Sequence, residues 1–381
     1  MILVQSLVEG IGEIDPYSAD FKKLIDLCMS CRRCVSVCPP GIPIPDLISY
    51  ARYAYLKQKK WNALTLGHRM YADYGRFDRL GSATAPVSNW IMGRRVVKKL
   101  MEWVTHIDAR TRLPPFHRQS FESWFRNRPS TPRKKKIVYF VDSYANYNYP
   151  LLAKTVVALL EHVGYQVIVP PQRESGMPSL EFGLFDKARS LARYNLDQLD
   201  GYARDGTRIV CSSLAASYLL REGYGTILEA PEASTVSRAV VDVMELLLEE
   251  YEKGAIRFNN QPSQPVDYHC CCLSKAMSLP PVTTKLLKAA GLVPKQIDEC
   301  CGGAGVWGTF KENFEISREI AQELREKISR EVTVLTESET CKMQIELHTG
   351  AAVRFPVELL AERVTGLENP SHHRVRSAGR L

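Results

Sequence analysis

LLEHVG at residues 159–164 and LLKAAG at residues 286–291 mark the same point in two similar parts of the chain. Each segment ends an apolar helical pattern, and glycine readily adopts the left-handed backbone that commonly ends a helix. A short apolar strand precedes each helix, at Ile137–Val141 and at Val266–His269. The two segments therefore predict a repeated strand–helix unit, and the second unit begins about one domain length after the first.

The correspondence continues downstream at a nearly constant offset. Glu174-Ser175-Gly176 aligns with Cys300-Cys301-Gly302, and the strand at Arg208–Cys211 aligns with Thr333–Thr336. With a second strand at Gln166–Val169, each unit follows the order strand, helix, strand, helix, strand. This alternation predicts parallel sheets covered by helices. We predict an α/β fold made of two duplicated units with short parallel sheets.

A cysteine run with the spacing C-x2-C-x2-C-x3-C-P precedes both units. Its members are Cys28, Cys31, Cys34 and Cys38, and Pro39 follows directly. This spacing is typical of bacterial ferredoxins and predicts a [4Fe–4S] cluster, with zinc as the alternative metal. Helical patterns flank the run, so we predict a helical ferredoxin-like domain. In two-cluster ferredoxins the fourth cysteine serves a sibling cluster. We expect Cys38 to complete its own cluster; a distant or partner cysteine, or a three-iron cluster, are the alternatives.

The last third of the sequence holds a second set of cysteines. Cys272 follows a predicted strand, Cys300 and Cys301 precede a glycine-rich loop, and Cys341 lies beyond the next strand. Strand ends on one edge of a parallel sheet can converge on a single site. The glycine-rich loop lacks the Lys-Ser/Thr pair of a phosphate-binding loop. A second iron–sulfur cluster and a set of buried, inert thiols are the two interpretations, and we favour the cluster.

Several motifs along the chain resemble the cysteine-rich (CCG) domain proteins. This family includes iron–sulfur subunits of heterodisulfide reductases, glycolate oxidases and anaerobic glycerol-3-phosphate dehydrogenases. The matching segments are 28–39, 146–148, 268–269, 300–302, 338–346 and 356–360. The resemblance implies an electron-transfer subunit of a membrane-associated respiratory dehydrogenase complex. It implies a flavoprotein dehydrogenase subunit as the electron donor, quinone or a quinone-linked membrane component as the acceptor, and a cubane or non-cubane second cluster.

The departures from the family pattern concern the ligand positions. In the first unit these positions hold Asp142-Ser143, Glu174-Ser175, Ser213 and Ala216, so we expect no cluster there. In the second unit Ser338 replaces one cysteine, and Cys270 or Cys271 could compensate for it. The predicted ligands of the second cluster are Cys271, Cys272, Cys300, Cys301 and Cys341. His269 is either a hydrogen-bond donor to cluster sulfur or a core histidine with satisfied hydrogen bonds.

The distributions of charge and of cysteine indicate where in the cell the protein is expected. The net charge of the 381 residues is +8, and 13 Lys and Arg against 3 Asp and Glu lie between Arg94 and Lys136. No apolar stretch approaches the ~20 residues of a spanning helix, and we recognise no export signal. Clustered cysteines favour a reducing compartment. We expect a cytoplasmic protein bound peripherally to the inner face of the cell membrane.

Residues Trp90–Val104 show an amphipathic helical pattern within the basic segment. Such a helix either packs on the domain with a solvated basic face or lies in the interface of an anionic membrane. The predicted membrane residues are Trp90, Arg94, Arg95, Lys98, Lys99 and Met101. We expect no nucleic-acid partner, because no recognisable nucleic-acid-binding module accompanies the charge.

The predicted division of the chain has five parts. They are a ferredoxin-like domain (1–60), a basic helical segment and linker (61–136), the first repeat (137–255), the second repeat (256–365) and a basic tail (366–381). Two alternative functions remain. One is a heterodisulfide-reductase-like subunit with a catalytic non-cubane cluster in the second repeat, and the other is a scaffold subunit with zinc or no metal at the late cysteines.

Overall fold

Two four-stranded parallel sheets form the centre of the structure, a computed structural model that describes residues 15–59, 64–129, 133–228 and 230–367. The first sheet has the order β2-β1-β3-β4 and the second has the order β6-β5-β7-β8. All neighbouring strands are parallel. The strands are β1 Lys135–Phe140, β2 Tyr165–Ile168, β3 Ile209–Cys211, β4 Val240–Asp242, β5 Gln264–His269, β6 Leu292–Ile297, β7 Thr333–Leu335 and β8 Val353–Arg354.

The identical strand orders confirm the predicted α/β fold with two duplicated units. Each unit has one strand more than the sequence pattern predicted. These additional strands, β4 and β8, contain three and two residues. A segment this short shows no alternation of polar and apolar residues, so only its pairing with the neighbouring strand defines it.

Helices cover the sheets, and helices joined by loops form the described part of the chain before β1. The first eight are α1 Ala19–Asp26, α2 Arg33–Ser36, α3 Ile44–Lys59, α4 Leu66–Ala72, α5 Tyr74–Ala83, α6 Val87–Met92, α7 Arg95–Thr105 and α8 Phe121–Arg126. The first repeat contains α9 Pro150–His162, α10 Met177–Glu181, α11 Phe185–Arg204, α12 Leu214–Tyr218, α13 Tyr224–Ile227, α14 Pro231–Ala239 and α15 Val243–Glu252. The second contains α16 Cys272–Ala276, α17 Pro280–Ala289, α18 Phe314–Ile320, α19 Gln322–Lys327, α20 Glu339–Thr349 and α21 Pro356–Ala361.

The pairing register in each sheet shows which residues at the ends of β1 and β5 are equivalent in the two repeats. Lys135 pairs with Tyr165 in the first sheet, and Gln264 pairs with Leu292 in the second. Tyr165 and Leu292 are equivalent because each directly follows the glycine that ends the repeated helix. Counting along β1 and β5 from these pairs makes Asp142 and Ser143 the equivalents of Cys271 and Cys272.

Backbone dihedral angles give two further equivalences. Gly176 and Gly302 both have a left-handed backbone, with φ of 91° and 75°. Ser213, which precedes α12, has φ −101° and ψ 126°, and Ser338, which precedes α20, has φ −97° and ψ 125°. Both repeats therefore keep the same backbone at the positions where the family places its ligands.

The two repeats share one hydrophobic core. Fully buried residues of both sheets belong to it, among them Tyr139 and Tyr268, together with the facing helices α9 and α21. At their junction the rings of Tyr149 and Phe355 meet edge to face, with centroids 5.4 Å apart. Burial of large aromatic side chains on both sides fixes the orientation of one repeat against the other.

The basic segment differs from the single helix predicted for Trp90–Val104. Two helices, α6 and α7, occupy this stretch, because Gly93 ends the first and Arg94 is extended, with φ −78° and ψ 131°. Met101 is half-buried and lines a cavity with Lys98, whose Nζ donates to the carbonyl oxygen of Thr111 at 3.2 Å. The outer face of α7 carries exposed apolar side chains next to the exposed basic residues Arg95 and Lys99.

Among the described residues, no helix combines the length and apolarity required to cross a membrane. The predicted linker also ends two residues earlier than expected, since β1 begins at Lys135 rather than at Ile137. Residues 130–132 of that linker and the predicted tail after residue 367 lie outside the described residues.

Candidate metal centre

Five thiols of the second repeat meet at the carboxyl end of its sheet. Their side chains lie close together in the order Cys272, Cys300, Cys301, Cys341 and Cys271, and the peptide bond between Cys271 and Cys272 closes this set into a ring. The five come from three separate segments that follow β5, β6 and β7. The sequence prediction that these cysteines converge therefore agrees with the geometry.

Local structure explains how each thiol reaches the ring. The Sγ of Cys271 accepts a hydrogen bond from the backbone N–H of Ser274 at 3.4 Å and so caps α16. The Sγ of Cys300 accepts one from the backbone N–H of Gly302, also at 3.4 Å. Ser338 caps α20 by accepting from the backbone N–H of Cys341 at 3.2 Å, so its hydroxyl is engaged in holding the helix that carries Cys341.

The structure distinguishes the two cysteines that could compensate for Ser338. Cys270 is 1% exposed, and its Sγ lies 3.9 Å from the carbonyl oxygen of Tyr268 within the shared hydrophobic core. Cys271 instead contacts Cys341 in the ring. Alternation of side chains past the strand end sends the two neighbours in different directions. Only Cys271 joins the site.

Hydrogen bonds between the thiols shift their pKa values in opposite directions. The pKa of Cys300 is lowered, because Cys272 and Cys301 both donate to its sulfur and thereby favour the thiolate. The same bonds, together with burial, raise the pKa of Cys272 and of Cys301, and the pKa of Cys341 is raised in the same way. Metal binding requires thiolates, so loading of this site must release protons.

The space between the thiols suits a compact sulfur-ligated group. A mostly apolar cavity of about 100 Å³ is lined by all five cysteines. A Cβ at Gly303 would lie 2.7 Å from Cγ of Gln344 and 3.4 Å from the Sγ of Cys301, so the loop has no room for a side chain there. Thiolate donors favour iron–sulfur clusters or zinc over Mg²⁺ or Ca²⁺. The residues present therefore fit an iron–sulfur cluster.

His269 is a core histidine with satisfied hydrogen bonds. One ring nitrogen, Nε2, is 3.1 Å from the carbonyl oxygen of Glu299, and Nδ1 is 3.2 Å from the hydroxyl of Thr336. Since a carbonyl only accepts, Nε2 donates and Nδ1 accepts. Burial lowers the pKa of His269 to about 4, so the ring is neutral. A ligand atom of His269 lies within 4.8 Å of those of Cys301 and Cys341, but both nitrogens are already in use.

The N-terminal run lies directly beside this ring. Cys31 lies next to Cys272 and lines the same cavity, and this neighbouring thiol lowers the pKa of Cys31 to about 6. Cys28 and Cys34 do not line that cavity. Cys34 nevertheless lies near the other two, because its pKa is raised by burial and, to a smaller extent, by the charges of Cys31 and Cys28. Cys31 therefore connects the two predicted sites.

Two side chains fix the run against both repeats. Arg52 donates to the carbonyl oxygens of Cys28 at 2.8 Å and of Glu181 at 2.7 Å. The indole Nε1 of Trp307, which follows the glycine loop, donates to the carbonyl oxygen of Asp26 at 2.7 Å. Trp307 thus ties the two sites together, a role that the sequence did not indicate.

The first repeat holds a polar network at the equivalent place. The Tyr74 hydroxyl from α5 donates to Asp142, and the Ser175 hydroxyl donates to the other carboxylate oxygen of Asp142 at 2.7 Å. Burial raises the pKa of Tyr74 well above its ordinary value. The loss of ligands was predicted from the sequence, whereas the insertion of Tyr74 was not, because no local pattern links α5 to this sheet edge.

Comparison with known proteins agrees with these features. Residues 266–346 match the model of the cysteine-rich domain family. The chain is 28% identical to a subunit of the anaerobic glycerol-3-phosphate dehydrogenase of Escherichia coli over 340 residues, which cover 85% of this chain and 83% of the relative. It is 21% identical to the probable glycolate oxidase iron-sulfur subunit of Bacillus subtilis, over 91% of this chain and 81% of the relative. The resemblance inferred from the motifs is thereby confirmed: the chain carries a CCG cysteine-rich domain and is similar over most of its length to iron–sulfur subunits.

Proposed function

We propose that the chain is an iron–sulfur electron-transfer subunit of a membrane-associated respiratory dehydrogenase complex. The observation that carries this proposal is the continuous contact from Cys31 through Cys272 to the thiol ring of the second repeat. Iron–sulfur clusters, when bound by such thiolates, exchange single electrons over a wide range of potentials. Two adjoining thiolate sites are suited to passing electrons through the chain.

The residues of this chain would position the sites rather than carry out bond chemistry. Arg52 and Trp307 fix the spacing between the two sites by binding backbone carbonyl groups beside the run. Cys271 and Cys301 are buried and the other ring cysteines are half-buried, which limits contact with water, one of the factors that set cluster potentials. The cofactors we propose are a [4Fe–4S] cluster at the N-terminal run and a second cluster at Cys271, Cys272, Cys300, Cys301 and Cys341.

We place a flavoprotein subunit upstream and a quinone or quinone-linked component downstream. Support comes from the relatives, which are subunits of a glycerol-3-phosphate dehydrogenase and of glycolate oxidases. A direct test is anaerobic reduction of the reconstituted chain by a photoreduced flavin, followed by addition of a soluble quinone. Bleaching and recovery of the cluster absorbance would support the proposal, and a cluster that flavin reduces but quinone does not reoxidise would refute the direction of transfer.

The outer face of α6 and α7 supports the membrane part of the proposal. Val96, Leu100 and Trp103 occupy one stripe of α7 and are 79%, 58% and 79% exposed. Trp90 on α6 is 62% exposed, and the Arg94 guanidinium stacks over its ring at 4.2 Å. Exposed aromatic and aliphatic side chains beside arginine and lysine fit the interface of an anionic bilayer. In this arrangement Met101 and Lys98 support the helix from inside, while Arg94, Arg95 and Lys99 face lipid phosphates.

Flotation with vesicles containing anionic lipid tests this surface. Replacing Val96, Leu100 and Trp103 by Glu should abolish flotation, and reversing Arg94, Arg95 and Lys99 to Glu should weaken it strongly. The matched control, Lys288→Glu with Arg330→Glu on the exposed surface of the second repeat, should float normally. Equal flotation of all variants would exclude α6 and α7 as a membrane-binding surface.

A zinc-bound scaffold is the second candidate, and one observation favours it. His269, Cys301 and Cys341 place their ligand atoms within 4.8 Å of one another, as a small metal ion requires. Against it, the hydrogen bonds of His269 leave no free ring nitrogen. Metal analysis of anaerobically purified protein separates the two, because zinc without iron would support the scaffold. The first repeat gives no support to the alternative of a heterodisulfide-reductase-like subunit with a catalytic cluster, because its equivalent site has no thiols.

A further inference from the structure

Cys272 contacts both thiolate sites. Its thiol lies beside that of Cys300 in the ring and that of Cys31 in the N-terminal run, and all three line one cavity. Without Cys272 the ring still has four thiols in contact, those of Cys271, Cys300, Cys301 and Cys341. The chain therefore has one thiol more at the second site than a four-thiolate cluster requires, and this extra thiol faces the run.

We propose that Cys272 is the fourth ligand of the N-terminal cluster, together with Cys28, Cys31 and Cys34. This inference rests on the proposed function and narrows it, since it moves Cys272 from the ligand set given there for the second cluster to the N-terminal cluster. The assignment divides eight cysteines equally between two four-iron clusters. It leaves Cys38, Cys211 and Cys270 without a ligand role.

The position of Cys38 is consistent with its exclusion. It follows α2 and the neighbouring Val37, which is 74% exposed, and its backbone N–H donates to the carbonyl oxygen of Val35 at 3.2 Å. In ferredoxin runs the fourth cysteine commonly serves a neighbouring cluster. No second run of this spacing occurs in the 381 residues to supply one.

Backbone strain on both sides of Cys31 directs it toward Cys272. Ser30 and Arg32 have left-handed backbones, with φ of 51° and 60°, which non-glycine residues adopt at a cost. Surrounding contacts hold this conformation in place. The buried Arg32 guanidinium binds both carboxylate oxygens of Asp46 and stacks over the ring of Tyr218 at 4.2 Å. The strained loop thus presents Cys31 to the second repeat instead of folding around the run alone.

The experiment isolates the N-terminal cluster and then removes one candidate ligand at a time. Cys300→Ser with Cys301→Ser removes the ring in the full chain, which should retain about four irons if one cubane remains. Cys272→Ser, Cys38→Ser and, as the matched control, Cys270→Ser are added separately. Iron content and the EPR spectra of oxidised and reduced protein, after anaerobic reconstitution, are the readouts. Circular dichroism checks that each variant is folded.

Cys272→Ser should lose the reduced four-iron signal and show an oxidised three-iron signal, with iron content falling by at least a quarter. Cys38→Ser and Cys270→Ser should keep the reference spectrum. Loss of the cluster in Cys38→Ser, or its retention in Cys272→Ser, would overturn the assignment. If the double background variant does not fold, the same single substitutions in the wild-type chain give the answer, because the N-terminal signal alone should change in Cys272→Ser. Failure of the chain to bind any iron would instead contradict the proposed function itself.

Discussion

The two repeats share a backbone and differ in the chemistry at the end of each sheet. Gly176 and Gly302 adopt the same left-handed conformation, and the caps at Ser213 and Ser338 have nearly the same dihedral angles. Where the second repeat gathers five thiols, the first has carboxylate and hydroxyl groups, and Tyr74 enters from α5 to bind Asp142. The comparison shows that the fold does not need the ligands. Duplication preserved the loops, and the side chains alone decide which sheet end can hold a metal cluster.

The largest expected effect is the loss of one cluster from the second repeat. Cys301→Ser removes a thiol that contacts both Cys300 and Cys341, so iron content should fall from about eight to about four per chain. The equivalent substitution in the first repeat, Ser175→Ala, should leave iron content unchanged. Inductively coupled plasma analysis of both variants after anaerobic reconstitution measures this difference. A loss of iron in Ser175→Ala would contradict the view that the first site is metal-free.

A smaller effect concerns the two equivalent glycines. Alanine at either position pays for a left-handed backbone, roughly 1–2 kcal/mol. At Gly302 its Cβ would also lie 2.1 Å from the backbone carbonyl oxygen of Ser317, whereas at Gly176 the nearest atom is Cδ1 of Leu191 at 3.2 Å. Backbone cannot move as a flexible side chain can. Gly302→Ala should therefore destabilise the iron-free chain by several kcal/mol more than the strain alone, and Gly176→Ala by about the strain alone.

Urea denaturation of the two iron-free variants at one pH measures the difference in the free energy of unfolding. An equal loss of free energy of unfolding in both variants would contradict the prediction, because it would mean that the two glycine loops are packed alike.

The smallest effect is a dependence of stability on pH that arises where α5 packs against the sheet end of the first repeat. Burial, and then the charges of Asp142 and Glu174, raise the pKa of Asp78 to about 8, and its Oδ2 has no hydrogen-bond partner. Between the ordinary carboxyl pKa and about 8, the unfolded chain releases a proton that the folded chain retains. The free energy of unfolding therefore falls as pH rises, by at most about 1.4 kcal/mol per pH unit from this group.

Asp78→Asn removes this titration and should flatten the fall in stability between pH about 5 and about 8. The control is Asp197→Asn on the exposed face of α11, which should keep the wild-type slope. Denaturation of the iron-free chain at several pH values is the measurement. An unchanged slope in Asp78→Asn would show that Asp78 does not titrate as its burial implies.

Sequence patterns predicted the duplicated α/β fold because its strands and helix ends recur in both units. They also predicted that Cys300, Cys301 and Cys341 converge, because each follows a strand at the same edge of a parallel sheet. The choice between Cys270 and Cys271 was beyond the sequence. It depends on which way each side chain points after β5, and only the packing of Tyr268 and the core determines that.

Two further features required the three-dimensional arrangement. The break at Gly93 was missed because the amphipathic pattern runs across it, although one glycine and an extended Arg94 are enough to separate α6 from α7. The contact between Cys31 and Cys272 joins residues far apart in sequence, and no local periodicity could reveal it. Tertiary packing sets which distant segments meet, and here Trp307 holds the run against the second repeat while Arg52 holds it against the first.

Iron content and EPR of the anaerobically purified wild-type chain test most directly the claim that the second repeat and the adjoining run hold clusters. We predict about eight irons per chain and, after reduction, a spectrum broadened by magnetic interaction between two neighbouring clusters. Zinc without iron at the late cysteines, or a single isolated cluster signal with about four irons, would contradict that claim.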